Sequence, residues 1–566
     1  MTNTANFKFN GQSNSRRKFL EKVGLGSLIL SPAGYSSLAS KAEQSKSEKI
    51  LFWDPFDFGA RGDGKTLDTN AIQSAIDRCS EAGGGKVYLH NGYFISGTIY
   101  LKDNVAFYIE SGTILKASDD LDEFPSIPSK YASFTGELVT HKMLIYAEDK
   151  QNITICGRGT IDGNGDHWID GPYGYPSFSV RPRIIHFRGC ENIQIRDVTL
   201  FNSASWVLVP QSCRNILIDG VYVNSRPNPD IEKPRFSDAP GRNCDGFDIL
   251  DCQKVRISNC FIVSGDDSIV FKSNSPDEKC ADITVTNCVI SSNASGIKTG
   301  TDTAGAFEDI TISNCTIYDT RGDGIALLTA DGARVERINI SNITMRNIKG
   351  AAIAVRLGNR FTTYRQNAKI NIPSLKNIII ENIQGTRISY ECGCSIRGFQ
   401  GNMVENIVLR NINLQFEGGG EASESYRKIP QNEKAYPSGR NFGVVPAYGF
   451  YINHARNIIF DNVRLNYLRE DNRPVFICDN VEQLEIKGLK ATGTSNTPEL
   501  VRLVNTRDVL ISDSHPPIPV KVFVNIEGKE TGNIYLINNI LKNVQHAVKY
   551  ENETLKNLVT ESGNIK

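Results

Sequence analysis

The chain has few residues of several kinds: only 4 Met, 7 His and 3 Trp among 566, and no excess charge of either sign, since 63 Lys and Arg face 63 Asp and Glu. Each shortage excludes something. A charge balance of zero leaves no electrostatic footprint for DNA or RNA, so a nucleic-acid partner is not expected. So little Met argues against a long helical bundle. No apolar run reaches the length of about 20 residues that a membrane helix needs. Disorder is excluded as well, because 40% hydrophobic and 22% charged residues are ordinary for a folded chain. Glycine is abundant, at 48 residues, and marks many turns and hence many short strands.

The N-terminus reads as an address. Ser15-Arg16-Arg17-Lys18-Phe19-Leu20 precedes a short apolar stretch, Val23 to Leu30, and small residues follow as far as Ser40-Lys41-Ala42. A basic start, a short apolar middle and a small-residue exit describe a signal peptide. Paired arginines followed by Phe and Leu point to the twin-arginine route. The expected organisation is a signal over 1–42, an N-terminal cap with the first coils over 43–145, and a catalytic body over 146–566. The mature chain is expected to be exported, to a bacterial periplasm or beyond, with no membrane span.

Thirteen cysteines are an odd number, so at least one cannot pair within the chain. They recur in two phrases. One is Cys190-Glu-Asn-Ile, Cys213-Arg-Asn-Ile and Cys252-Gln-Lys-Val; the other places Cys260, Cys288 and Cys315 after Ser-Asn or Thr-Asn. Recurrence in a phrase predicts stacked interior columns rather than a zinc site, and no pair of C-x-x-C motifs has metal spacing. Cysteine pairing is left open by the sequence.

The phrase belongs to a repeat. Asn/Asp-Ile-x-Ile, or a close variant, recurs at Asn152, Asn192, Asn215, Lys254, Asp282, Asp309, Arg337, Asn377, Asn406, Asn457, Gln483, Asp508 and Asn533. Gaps between successive phrases are 23 to 29 residues in eight cases and 39 to 51 in four. A period in the twenties means one solenoid coil per unit, the longer gaps containing insertions. Apolar residues alternate within a unit, as in Ile310-Thr-Ile312, which is strand periodicity. Leucine-rich repeats share the period but need a Leu ladder, and this chain uses Ile, Val and Asn. The expected fold is all-β, a right-handed parallel β-helix with strands about 4.8 Å apart on successive coils. Asn and Asp at corners fit turns and can bridge to the next coil. Ahead of the coils, Ala71, Ile72, Ala75, Ile76 and Cys79 have helical spacing. They predict a short capping helix with Thr69 as N-cap and Gly83-Gly-Gly as its stop. Glu417 to Ala447 breaks the rhythm and predicts a long loop beside the binding face.

Aligning the coils on their Ile phrases brings a second strand into register: Asp245-Gly-Phe-Asp-Ile, Asp267-Ser-Ile-Val-Phe, Ser295-Gly-Ile-Lys-Thr and Asp323-Gly-Ile-Ala-Leu. Asp245 and Asp267 then share a column, and Asp266 adjoins Asp267. Carboxylates so close cannot all ionise comfortably, so at least one pKa is expected to rise. A proton-holding carboxylic acid beside ionised neighbours is the equipment of glycoside hydrolysis. A corner ladder of turn-forming Asp would explain any one of these residues, but not the clustering of three like charges.

Asn243-Cys244-Asp245-Gly246 followed by Gly265-Asp266-Asp267 resembles glycoside hydrolase family 28, the polygalacturonases and rhamnogalacturonases. Phe58-Gly-Ala-Arg61-Gly-Asp-Gly, Arg181-Pro-Arg-Ile-Ile185 and Asn202-Ser-Ala-Ser-Trp206 are also similar to that family. The resemblance implies inverting hydrolysis of an α-linked, usually uronate-containing polysaccharide. It implies Asp266 as general acid, Asp245 and Asp267 as activators of the water, and Asn243 as an orienting side-chain amide. Two family features are missing. Ala294-Ser295-Gly296 stands where the family has Gly-His-Gly, and Ala326-Leu327-Leu328 where it has the Arg-Ile-Lys that binds the substrate carboxylate. Either a different sugar is taken at that subsite or other cations substitute, the candidates being Lys298, Lys272 and Arg356, with Lys298 expected to face outward by strand alternation. This makes rhamnogalacturonan or another branched or modified glycan a better expectation than plain polygalacturonan. A polysaccharide or oligosaccharide is the expected partner and a monomer the expected state, with no cofactor and no metal. A β-helix lyase or epimerase and a non-catalytic glycan-binding solenoid are the competing readings.

Overall fold

The computed structural model describes residues 52–131, 141–170, 180–225, 243–360 and 371–566. The N-terminal address and its boundary at residue 42 lie outside the described residues. Among the described residues, thirty-nine strands join in one continuous parallel arrangement that winds as a right-handed parallel β-helix. The Ile phrase forms one of its ladders: Ile193, Ile216, Val255, Ile283, Ile310 and Ile338 stack in register on successive coils. Each of these side chains is buried. Burial of a Val or Ile contributes about 1.5–3 kcal/mol, and no coil can bury its inner face without a neighbour.

The first residue of the phrase makes the corner. All thirteen such residues are left-handed, with φ between 52° and 58°. This conformation costs a typical residue roughly 1–2 kcal/mol and Asn much less. The asparagines also bond from coil to coil: Asn192 Nδ2 donates to Asn152 Oδ1 at 3.1 Å, Asn215 to Asn192 at 2.6 Å, and Asn457 to Asn406 at 2.9 Å. The cysteines form the anticipated columns. Cys190 N–H donates to Cys213 Sγ at 3.3 Å, and among the described residues no two cysteines form a disulfide.

Helix α1, Thr69–Glu81, buries Ala71, Ile72, Ala75, Ile76 and Cys79. Its N-cap is Asp68 rather than Thr69, which is the first helical residue. The Asp68 carboxylate is taken up by the backbone N–H groups of Arg61 and Gly62, and Thr69 Oγ1 accepts from Gly97 N–H. Tertiary contacts have claimed both side chains. Gly83, at φ 94°, ends the helix as anticipated. Among the described residues no helix is long and apolar enough to cross a membrane.

A second ladder carries the site. Its strands are β1 (Met143–Glu148), β2 (Arg183–Arg188), β3 (Leu208–Gln211), β4 (Phe247–Leu250), β5 (Ile269–Ser273), β6 (Ile297–Thr303), β7 (Ile325–Leu328), β8 (Ile353–Arg356) and β9 (Cys394–Arg397). Each pairs in parallel with the next. On the Ile-phrase ladder, buried and exposed residues alternate, as in Gln253–Ser258. On β2, β4, β5, β7, β8 and β9 every residue is buried. This face is therefore covered from outside, and part of the cover is the 417–447 loop. The Arg356 guanidinium donates to Asn432 O at 2.8 Å and Arg397 to Pro430 O at 2.9 Å.

Candidate active site

Register puts the aspartates together. Phe247 of β4 pairs with Ile269 of β5, Ile269 with Ile297 of β6, and Ile297 with Ile325 of β7. Two residues before these positions stand Asp245, Asp267, Ser295 and Asp323. The ladder continues down to them, since Gly246 N–H donates to Asp267 O at 2.9 Å. Asp266 sits beside Asp267 in the same turn. One carboxylate oxygen from each of Asp245, Asp266 and Asp267 lies within 4.8 Å of the others, and all three residues are buried.

Two lysines from the outward side of the ladder meet this cluster. Lys298 Nζ is 2.7 Å from Asp267 Oδ2 and donates to the Tyr436 hydroxyl at 3.0 Å. Ser295 N–H donates to the other Asp267 oxygen at 2.9 Å. Lys272 Nζ is 2.6 Å from Asp248 Oδ1, 3.6 Å from Asp245 Oδ2 and 3.7 Å from the centre of the Trp206 ring. Burial pushes the Asp245 carboxyl well above the usual range, the charge of Asp248 adds to the push, and Lys272 opposes it. Burial also pushes Asp248 up, to about 6, against the pull of Lys272. Burial works against the Lys272 proton, but Asp248 and Asp245 outweigh it, so the lysine stays charged. Two buried ammonium groups thus supply the positive charge that three crowded carboxyls need.

Some expected site residues take other places. Asn243 contributes through its backbone, whose N–H donates to Asp266 Oδ2 at 3.1 Å, while its side-chain Oδ1 is buried and unpartnered. Asn243 is itself left-handed at φ 60°, and its main-chain amide rather than its side chain meets Asp266. Arg356 lies apart from the aspartates, under the 417–447 loop, its guanidinium 4.0 Å from the centre of the Phe442 ring. Ala326 and Leu328 pack into a small apolar cluster with Ala351, Ala354 and Cys392. Where the family's cations were sought, the outward face of β7 is apolar. Lys298 points outward, as alternation required, into a covered site rather than solvent.

Other residues of the site went unnoticed in the sequence. Asp248 faces outward between inward Phe247 and Ile249, and the same alternation that placed Lys298 could have found it. Tyr436 comes from the loop, 138 residues from Lys298, and no local signal marks it. On the N-terminal side of the aspartates, a small cleft is lined by Arg183, His186, Arg188, Trp206, Gln211 and Asp302, among others.

A model of the family described as Glycosyl hydrolases family 28 matches residues 126–435, which include all three aspartates. A probable polygalacturonase of Vitis vinifera is 31% identical over 252 residues, 43% of this chain and 47% of that protein. The chain thus spans about half the length of this relative. Polygalacturonase-2 of Solanum lycopersicum is 25% identical over 393 residues, 66% of this chain and 77% of that protein. Among solved structures, a hyperthermoactive exopolygalacturonase from Thermotoga maritima has the same fold, with a TM-score of 0.53 at 22% identity over 65% of this chain and 87% of that one.

Proposed function

The chain belongs to glycosyl hydrolases family 28, and from that premise we propose that it is an exported hydrolase of an α-linked, uronate-containing pectic glycan of the rhamnogalacturonan type. The observation that carries the reading is the meeting of Asp245, Asp266 and Asp267 within 4.8 Å under two buried lysines. The names of the relatives, polygalacturonases, support the pectic substrate. Asp266 is the general acid, which protonates the glycosidic oxygen as the bond to the anomeric carbon breaks. Asp245 and Asp267 take the proton of the water that attacks that carbon. A lysine ammonium lies against each of these two and favours its anion, while burial works the other way at Asp245. The basic N-terminal address, with Arg16 and Arg17, supports export by the twin-arginine route.

The test is an assay of reducing ends and ultraviolet absorbance on rhamnogalacturonan, polygalacturonan and algal polysaccharides. New reducing ends without a rise in absorbance are expected on a pectic glycan. A rise in absorbance would mean elimination to an unsaturated sugar and would overturn the hydrolase. Absence of both on every glycan would leave a binding solenoid.

A further inference from the structure

The cleft on the N-terminal side of the aspartates is cationic. Arg183 and Arg188 come from β2 and are almost wholly buried. Among the described residues no carboxylate oxygen lies within 4.0 Å of either guanidinium. The Nε–H of each is buried without a hydrogen-bond partner, as is His141 Nδ1 on the same wall. The remaining contacts orient the arginines rather than neutralise them. Arg183 donates to His186 Nδ1 at 2.9 Å, and His186 Nε2 lies 3.2 Å from Gln211 Oε1. Accepting at Nδ1 and donating at Nε2 requires a neutral imidazole, and burial, with Arg183 and Arg188 next, pulls the His186 pKa well down. Arg188 donates to the Tyr146 hydroxyl at 3.3 Å and to Ile127 O at 3.4 Å.

Two guanidiniums buried with no carboxylate in contact are costly unless an anion joins them. Burial, with the charge of Arg188 second, pulls Arg183 down to about 9, against the pull of Asp248 and Asp245. The carboxyl on the facing wall, Asp302, does not fill the role. Burial pushes its pKa up, and its nearest guanidinium is that of Arg360 at 4.0 Å. The cleft also touches the reacting centre. The Trp206 ring has Arg183 Cζ 4.4 Å and Lys272 Nζ 3.7 Å from its centre, and Lys272 reaches Asp245.

We infer that Arg183 and Arg188 form a subsite for an anionic group, carboxylate or sulfate, on the sugar bound next to the aspartates, with neutral His186 as a positioning residue. A guanidinium fork matches either oxyanion in a way an ammonium cannot. The inference rests on the hydrolase reading and deepens it: the cation clamp missing from β7 is replaced on the opposite side of the catalytic cluster.

The experiment measures kcat/KM on three probes: a rhamnogalacturonan oligosaccharide, its uronate methyl ester, and a sulfated α-linked galactan oligosaccharide. The intact protein is expected to prefer one anionic probe over the ester, and which one it prefers tells carboxylate from sulfate. Arg183→Met is expected to reduce that preference about 100-fold, and Arg183→Lys to restore part of it. If Arg183→Met does not fold, Arg188→Gln carries the same expectation. Calorimetric titration of Asp266→Asn with the preferred anion, with and without Arg183→Met, gives a second readout that needs no turnover. Hydrolysis with an unmoved preference overturns the subsite and leaves the hydrolase. Binding that depends on Arg183 without hydrolysis of any probe overturns the hydrolase and leaves the subsite. Absence of both overturns both.

Discussion

Asp266→Asn will lower turnover of a pectic oligosaccharide by about 10²–10⁴-fold, the usual worth of a positioned general acid. The change keeps the shape of the side chain and removes only its proton chemistry. Asp266 accepts from the backbone N–H of Asn243 at Oδ2 and of its neighbour Asp267 at Oδ1, and the single amide oxygen of Asn keeps one of these two bonds. Strand circular dichroism and glycan binding are therefore expected to stay near those of the parent. The loss depends on the leaving group. An aryl glycoside with an acidic phenol needs little protonation, so on that substrate Asp266→Asn should recover at least about tenfold of its deficit. Asp245→Asn removes a base instead and should lose a similar factor on both substrates. Parent-like turnover by Asp266→Asn, or an equal loss on both leaving groups, would take the acid role away from it.

Lys272→Met will destabilise the protein by about 3–5 kcal/mol at pH 7, because it strands Asp248 and Asp245 as unpaired charges in the interior. The pair distances are 2.6 Å and 3.6 Å, and the lysine and both carboxylates are buried. The loss should shrink as pH falls. A carboxyl whose folded pKa is raised above its unfolded value of about 3.9 contributes stability that is complete below the unfolded value and disappears as pH rises through the folded one. For Asp248 in the parent that window runs from about 4 to about 6. Without Lys272 both folded values rise further, so the variant loses more stability across and above the window than the parent does. Below about pH 4 the carboxyls are neutral in both proteins and the difference narrows to lost packing. Denaturant titrations of both proteins at pH 4 and pH 7 measure this. A difference that is the same at both pH values would show that Lys272 acts through its aliphatic stem and not through its charge.

The sequence made the coils legible because each coil repeats the same physical demand. An inward Ile or Val must stack, and the residue before it must turn left-handed, so Asn192, Asn215 and Asn377 announce corners wherever they occur. The same register made the meeting of Asp245 and Asp267 readable, since a column in a parallel helix is fixed by counting. Contacts between distant parts of the chain were not readable. Tyr436 reaches Lys298, and Phe442 covers Arg356, from a loop with no repeat to align. Thr69 and Asp68 look alike as caps until tertiary partners choose between them. Arg356 was legible as a cation on the correct face, but not as one that the loop carbonyls had already taken. Of the two arginines of the cleft, Arg183 lay inside a phrase, Arg181-Pro-Arg183, that resemblance marked without giving it a task.

The central claim is that water attacks the sugar directly under three aspartates. One carboxyl oxygen from each lies within 4.8 Å of the others, closer than the separation of about 6.5–9.5 Å typical of an inverting pair, so the stereochemistry of the product is the most direct test. Proton NMR of a hydrolysis followed from its first minutes reads the anomer formed before mutarotation mixes it. The account predicts that an α-linked pectic oligosaccharide releases the β-anomer first. First appearance of the α-anomer would mean a covalent glycosyl intermediate, and would contradict the assignment of Asp245 and Asp267 to the water.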